Sequence, residues 1–474
     1  MISPKLRNTA LLVAGCYFME NLDSTIVTTA VPAMSRALQV SSVQMGLIVT
    51  AYMVTLAVFI PISGWLAEKF GTRLIFLSAI AIFTLASLAC ALSPNLGTLV
   101  AARVLQGFGG AMMVPVGRVV VIKHTEKRDL LKIMSYLVWP GLISPAIAPL
   151  AGGLIITYAS WEYLFLINLP LGIAGFIAAW KLIGDETESA PSRLDVTGVA
   201  LTGIGVGGLT YAAHVLADTG VPWSKGLLLT AVFLAVSIFA VRHLLTVSNP
   251  IVELRILSIP TFRSSQLGSS LYWMMVGSAP FMLTLLFQNV FGWSPTLAGG
   301  IVLFIFIGNI GIKPATTFLI NRFGFRRVLI VSTAIGALTM ILNGLITPAV
   351  PIVLIALLTL ISGIVRSTAL TAYTTIAYSD ISPENTRHAN ALASTMQNLA
   401  AAFGIASATV ALRAGEPIAR WATGSSGGSG AYTVSFFILG IIALLATLEA
   451  VRLDPAAGSA LRRKQPGKSL NNAN

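Results

Sequence analysis

Charge is what this sequence has least of. Only 10% of its 474 residues are Asp, Glu, Lys or Arg, while 55% are apolar and the mean hydropathy is +0.84. A soluble domain carries roughly a quarter charged residues, so the composition excludes one and describes a chain that crosses a bilayer many times. Acids are scarcer than bases, 17 against 30, leaving a net charge of +13. The bases stand in short clusters between apolar runs, the distribution of cytoplasmic loops and not of a nucleic-acid surface. Cysteine is nearly absent. Cys16 and Cys90 both lie inside apolar runs, which excludes a disulfide framework and reads as two small buried residues. No Walker-type phosphate loop, metal-ligand cluster or nucleophile–base signature occurs, and Gly107 to Gly110 is a dinucleotide-like string with no strand before it. The chain is therefore read as neither an enzyme nor a cofactor or metal protein. The four histidines (His124, His214, His243, His388) fall near the ends of apolar runs and are expected in water.

What the sequence has in abundance is long apolar runs. They cover approximately 9–34, 44–67, 74–92, 97–122, 133–158, 162–183, 195–214, 225–245, 264–290, 295–319, 327–346, 350–376, 387–412 and 433–452, fourteen in all, each long enough for a transmembrane helix. With the N-terminus in the cytoplasm, 22 of the 30 Lys and Arg fall in cytoplasmic segments. Only Arg36, Lys225, Arg413 and Arg420 fall outside, and Arg103, Arg118, Lys313 and Arg366 within spans. Reversal would invert that asymmetry, so both termini are expected on the cytoplasmic side of the cell inner membrane. Lys5 and Arg7 precede the first run and no small-residue cleavage site follows it, so it reads as a retained span. The basic tail, Arg462-Arg463-Lys464, is expected to face lipid head groups.

One nine-residue pattern occurs twice. Trp65-Leu66-Ala67-Glu68-Lys69-Phe70-Gly71-Thr72-Arg73 and Phe318-Leu319-Ile320-Asn321-Arg322-Phe323-Gly324-Phe325-Arg326 lie 253 residues apart. Each puts a helix end, a base, Phe-Gly and an Arg at one turn, where glycine allows the reversal and the cations meet the helix C-terminus and lipid phosphates. The spacing predicts an all-α protein of two six-helix bundles, 1–183 and 263–452. Between them lie two intervening, peripheral spans within 184–262, and 453–474 forms a basic cytoplasmic tail. Parallel halves of this kind occur in secondary transporters, with the substrate site at the bilayer midplane between them.

Few charges fall within spans, and those few are the candidate machinery. Glu20 and Asp23 stand near the middle of the first run, where each carboxylate costs about 3 kcal/mol or more. At i,i+3 they share a helix face, so one wet or protein-lined cavity could take both, and they could share a proton. Arg103 lies about six residues from the outer end of span 4 and must face acids, carbonyls or water; Gln106 can supply neutral hydrogen bonds beside it. Lys313 and Arg366 stand at similar depth in spans 10 and 12, with Arg118 towards the inner end of span 4. Four bases against two acids leave the expected cavity cationic, a field that favours anions. Pro140, Pro145 and Pro149 with Gly141, Gly152 and Gly153 mark span 5 as a helix able to bend and pack closely. Trp139 is a candidate wall of the substrate pocket.

Several of these strings resemble the major facilitator superfamily, specifically its fourteen-span drug:proton antiporters, over about residues 10 to 450. Leu22-Asp23-Ser24-Thr25-Ile26-Val27, ending in Ala30-Val31-Pro32, is similar to the subfamily's first-span pattern. Gly64-x-Leu66-Ala67-Glu68-Lys69-x-Gly71-Thr72-Arg73 resembles the superfamily's loop signature, with Glu68 where Asp is usual. Arg103-x-x-Gln106-Gly107-x-Gly109-Gly110-Ala111 resembles its buried-arginine motif. Gly141 to Gly153 resembles the antiporter motif, with Ala148 where the family has Gly, and Trp161 to Gly172 is similar to a further subfamily string.

The resemblance implies Asp23 as the protonation site, with Arg103 taking part in coupling. It also implies gating roles for Gly64, Glu68, Gly71 and Arg73 and a hinge or seal at Pro145, Pro149, Gly152 and Gly153. The expected function is proton-coupled export of small molecules, of the multidrug type, by alternating access. The proton gradient would be the energy source and the bilayer the only further partner of a monomer, with no cofactor and no nucleic acid. Two alternatives stand beside it: export of an organic anion or metal–carboxylate chelate, and a non-transporting sensor or scaffold.

Overall fold

The computed structural model describes residues 3–123, 125, 130–184, 194–423, 428–455 and 457–458, and every regular element among them is helical. In chain order the helices are α1 (Pro4–Ala37), α2 (Ser42–Met45), α3 (Leu47–Phe70), α4 (Thr72–Ala91), α5 (Leu96–Lys123), α6 (Leu130–Tyr158), α7 (Tyr163–Leu166), α8 (Asn168–Leu182), α9 (Val196–Ala217), α10 (Trp223–Thr246), α11 (Pro260–Leu285), α12 (Pro295–Gly311), α13 (Lys313–Phe323), α14 (Phe325–Asn343), α15 (Ile352–Ala377), α16 (Thr386–Thr423) and α17 (Gly428–Arg452). The segment 462–464 lies outside the described residues, as does His124.

Twelve of the described helices are long and apolar enough to cross a membrane, or thirteen if the bent pair α12 and α13 is one span. That pair turns by 54° at Ile312, so the tenth apolar run is a broken helix and Lys313 opens its second piece. The helix α1 has 34 residues but is not among the twelve. Its polar middle, Glu20-Asn21-x-Asp23-Ser24-Thr25, dilutes an otherwise apolar sequence.

Local chemistry sets the ends. Pro4, Pro260 and Pro295 stand in first turns, where a missing N–H costs nothing, and the Ser3 and Ser294 hydroxyls accept from Leu6 and Leu297 N–H groups. The repeated turn is the same device used twice. Gly71 ends α3 with φ +86° and Gly324 ends α13 with φ +82°, a region that side-chain-bearing residues avoid. Two residues on, Arg73 donates to the Trp180 carbonyl (3.1 Å) and Arg326 to the Val451 carbonyl (2.7 Å). Each arginine thus ties the start of one helix to the end of the last helix in its half.

Helices α1, α3, α4, α5, α6 and α8 pack chiefly on one another, as do α11, α12, α14, α15, α16 and α17. The two sets meet along α6–α12 and α3–α16. At the first seam a Cβ on Gly299 would strike the Pro149 carbonyl, and one on Gly153 would strike that of Pro295. Gly152 lies against Ile26 and Thr29 of α1. Backbone approach this close needs glycine on both sides, as at other helix contacts in membranes. Gly299→Ala is therefore expected to cost about 1–3 kcal/mol by overpacking. Gly300→Ala, with nothing within 4 Å, should cost nothing. Thermal unfolding of the two purified variants in detergent checks the contrast.

The expectation that the intervening spans are peripheral holds for α10, which packs on α9 and is otherwise largely exposed. The helix α9 is also mostly exposed, but its inner face lies against α3 and α16 and so touches both halves. His214 is consequently buried, 5% exposed, with its Nε2 3.0 Å from Thr50 Oγ1, and is not in water as its place near a span end suggested. Gln44 donates to Asp218 (2.8 Å), and Arg413 of α16 donates to the Leu216 and Val221 carbonyls (2.8 and 2.7 Å). At the far end Asp195 caps α9 and pairs with His243 (2.7 Å). His388 is exposed, as expected.

Candidate functional site

Asp23 is 1% exposed, and its carboxylate accepts from two other helices, α5 and α8, in a cluster that α3 and α4 complete. Arg103 of α5 donates from Nη1 to Oδ2 (2.5 Å). Gln106, one turn further along α5, donates from Nε2 to Oδ1 (2.9 Å), and Asn168 at the start of α8 donates to the same oxygen (2.7 Å). Ser87 of α4 accepts from both Gln106 (2.8 Å) and Asn168 (3.3 Å). Arg103 also donates from Nε to the Ile48 carbonyl of α3 (3.2 Å) and from Nη1 to Gln106 Oε1 (2.6 Å), and its guanidinium lies 4.2 Å from the Tyr52 ring centroid. Arg103, Gln106, Asn168, Ser87 and Tyr52 are all fully buried.

This is a closed ion pair with its hydrogen bonds largely made, the only form in which two charges survive so deep. Removing one member leaves the rest unsatisfied. Asn168→Ala withdraws a charge-assisted donor from a buried carboxylate and is expected to cost about 1.5–3 kcal/mol, read as a lower unfolding temperature.

Glu20 does not share this setting, although it lies one turn away on α1. Its Oε2 accepts from Asn21 (3.1 Å), and its charged neighbour is Arg118, whose guanidinium stands 5.2 Å from the Tyr17 ring centroid. The two acids differ in their partners: Asp23 lies inside a knot of donors, while Glu20 stands beside Arg118 and near enough to Asp23 for the two carboxylates to repel. Trp139, 56% exposed on α6, belongs to neither.

In the second set of helices two bases, Arg366 and Lys313, stand at mid-span with no acid paired to them among the described residues. Arg366 of α15 lies over the Phe306 ring (5.4 Å to its centroid), and its buried Nε has no hydrogen-bond partner. Lys313, at the break between α12 and α13, donates to Thr371 Oγ1 of α15 (3.0 Å). Among the described residues no carboxylate pairs with either. Lys313 and Arg366 are near enough to repel each other.

The loop-signature residues lie where the two sets of helices touch at one end. Glu68 pairs with Arg387 at the start of α16 (2.8 Å), and Gly64 faces the same guanidinium. The sequence marked Glu68 and Gly64 but not Arg387, whose partner is 319 residues away. It marked Asn168 only within a longer string, and Ser87 and Tyr52 not at all. A lone Asn opening an apolar run was the one available signal.

Comparison with known proteins agrees with this geometry. The Major Facilitator Superfamily profile matches residues 13–405. Over 395 residues the chain is 38% identical to the "Putative multidrug resistance protein MdtD" of Salmonella paratyphi A, covering 83% of this chain and 84% of that one. The proteins of that name from Salmonella typhi and Salmonella newport match to the same extent. Among solved structures, the POT family transporter PepTSo superposes with a TM-score of 0.67 at 13% identity, covering 96% of this chain and 100% of that one. A bacterial homolog of the human lysosomal transporter Spinster, in an inward-facing and unoccupied conformation, gives 0.65 at 14% identity, with 98% and 100% covered. The structures speak for the fold and the sequence match for descent: the chain belongs to the Major Facilitator Superfamily and is a multi-pass membrane transporter, not an enzyme.

Proposed function

We propose that this transporter exports small molecules from the cytoplasm in exchange for protons, with Asp23 as the group that takes up and releases the proton. The observation that carries the reading is the Asp23–Arg103–Gln106–Asn168 knot. A buried carboxylate is held by a cation and two neutral donors, so protonating it weakens the tie between α1 and α5. Loss of that tie is a local event with a large structural readout, as a two-state carrier requires. In this account α1 is itself a span, which with the broken helix brings the total to fourteen. Residues 1–183 and 263–452 rock as bodies about the α6–α12 and α3–α16 seams. Pro145, Pro149, Gly152 and Gly153 seal one end, and Glu68 with Arg387 latches the other through the turn built on Gly71 and Arg73. By charge asymmetry the latch is cytoplasmic, and both termini with it.

Everted membrane vesicles test the reading with two probes, ethidium and carboxyfluorescein. Respiration-driven accumulation of at least one is expected, collapsing when a protonophore is added. Accumulation indifferent to the protonophore would remove the proton from the account. The latch is an exposed pair worth roughly 0.2–1 kcal/mol. Glu68→Gln should therefore change the rate only a few-fold, measured in the same vesicles.

A second reading concerns the substrate's charge. Arg366 and Lys313 have no acid beside them, which favours a substrate that brings its own negative group. On that reading carboxyfluorescein is the better probe and Arg118 adds to the same field.

A further inference from the structure

Glu68 and Arg387 mark one end of α3 and α16, and Thr50 and Arg413 lie towards the other. There the tip of the α9–α10 hairpin is fastened to both halves. On the first-half side Gln44 donates to Asp218 Oδ2 (2.8 Å), and Thr50 Oγ1 lies 3.0 Å from His214 Nε2. On the second-half side Arg413 donates from Nη1 to the Leu216 carbonyl (2.8 Å) and from Nη2 to that of Val221 (2.7 Å). Its guanidinium also lies 4.2 Å from the Trp223 ring centroid. Both halves and the hairpin meet at Gly46, the joint of α2 and α3. A Cβ there would lie 3.3 Å from Phe281 Cζ of α11 and 3.4 Å from His214 Cε1. The hairpin itself is stiff. Asp218 Oδ1 accepts from the Gly220 N–H (2.9 Å) and closes the turn, and a Cβ on Gly205 or Gly208 would strike Ser237 or Phe233 of α10.

We infer that the α9–α10 hairpin is a strap across the α3–α16 seam, which holds the end opposite the Glu68–Arg387 latch closed and sets how often it opens. By the charge asymmetry that makes the latch cytoplasmic, this is the outer end. The inference rests on the rocking of the two halves proposed above, and on neither the proton nor the direction of transport. If the outer ends of α3 and α16 separate, a stiff hairpin cannot follow both. One set of ties must break, and bond chemistry selects which. Arg413 makes two charge-assisted bonds to backbone carbonyls and lies on an indole ring. The first half offers one bond to a carboxylate and one between a hydroxyl and an imidazole. Charge-assisted bonds are about twice as strong as neutral ones, and the cation on the ring adds to them. The hairpin therefore travels with α16, and the contacts to Gln44 and Thr50 are the ones released.

The test is a distance, read by double electron–electron resonance on full-length protein in lipid nanodiscs. Spin labels on Ala37→Cys and Trp421→Cys, both exposed, report the separation of the halves at the outer end. A label on the exposed Lys225→Cys, paired with either, reports which half the hairpin follows. The native cysteines are buried and stay unlabelled. Gln44→Glu sets a carboxylate against Asp218 while keeping the oxygen that accepts from the Ser41 N–H. It is expected to raise the ratio of long to short 37–421 distances about tenfold. Adding Asp218→Asn, whose amide can donate to the new carboxylate, should return the ratio to the wild-type value. Arg413→Gln cuts the other tie and should raise the ratio as well. In the long-distance population of the protein with Arg413 intact, the 225–421 distance should be kept and the 37–225 distance lengthened. A ratio unmoved by both Gln44→Glu and Arg413→Gln, with or without a lower unfolding temperature, marks packing alone and overturns the inference. Ethidium and carboxyfluorescein export is measured alongside. Variants that open the outer end of a protein carrying neither probe would sink the export reading and leave the strap standing; export by wild type with an unmoved ratio would do the reverse.

Discussion

Asp23→Asn is expected to abolish accumulation against a gradient and, on its own, to destabilise the protein. Both effects follow from one contact. Among the described residues the carboxylate is the only acid paired with the fully buried Arg103. Without it the guanidinium remains in the interior with neutral partners, a loss of about 3–5 kcal/mol. Removing the second charge as well separates the two effects. In the double variant Asp23→Asn/Arg103→Gln no charge is left in this knot, so stability should recover by several kcal/mol relative to the single variant. Transport should not recover, because no titratable group replaces Asp23. Unfolding temperature and vesicle uptake, measured on the same three preparations, give both readouts. Equal stability of single and double variants would contradict the ion-pair account, whatever transport did.

Arg366→Met is expected to move the same two quantities in opposite directions. The arginine lies over Phe306 with its Nε unpartnered and no acid near it, so methionine of similar volume relieves an uncompensated charge. Unfolding temperature should rise, by an amount corresponding to about 1–4 kcal/mol. On the reading of an anionic substrate, carboxyfluorescein export should fall at least tenfold while ethidium export is kept, since the lost group would repel cations and hold anions. A residue retained at a cost to stability is retained for work. Unchanged carboxyfluorescein export with raised stability would leave the second reading without its observation.

How far the sequence revealed this molecule differs between elements. The repeated turns were fully legible. Phe-Gly and the following arginine are local chemistry, and glycine at positive φ with an arginine reaching the neighbouring helix end appears at both 71–73 and 324–326. The buried charges were legible as charges, since Asp23 and Arg103 in apolar runs must meet something. Their mutual contact follows because each is the other's least costly partner. What was not legible is whatever depends on helix rotation. Glu20 and Asp23 share a face by spacing, yet a turn of α1 separates the knot from Arg118. Asn168, Ser87 and Tyr52 are ordinary residues in apolar runs until packing turns them inward. The break at Ile312 has its trace in Gly311 and Pro314, which loosen the helix either side of Lys313. Where α9 would dock was beyond reach, because its contacts lie on two helices about 150 and 200 residues away, and with them went the placement of His214.

The central claim is that proton flow through Asp23 drives substrate the other way, and one measurement addresses it most directly. Purified protein is reconstituted into liposomes with an acidic lumen, with ethidium and carboxyfluorescein outside in separate experiments. The account predicts uphill uptake of at least one probe with proton efflux in fixed proportion, and neither flux in Asp23→Asn. Uptake that proceeds without proton movement, or a full pair of fluxes in Asp23→Asn, would contradict it.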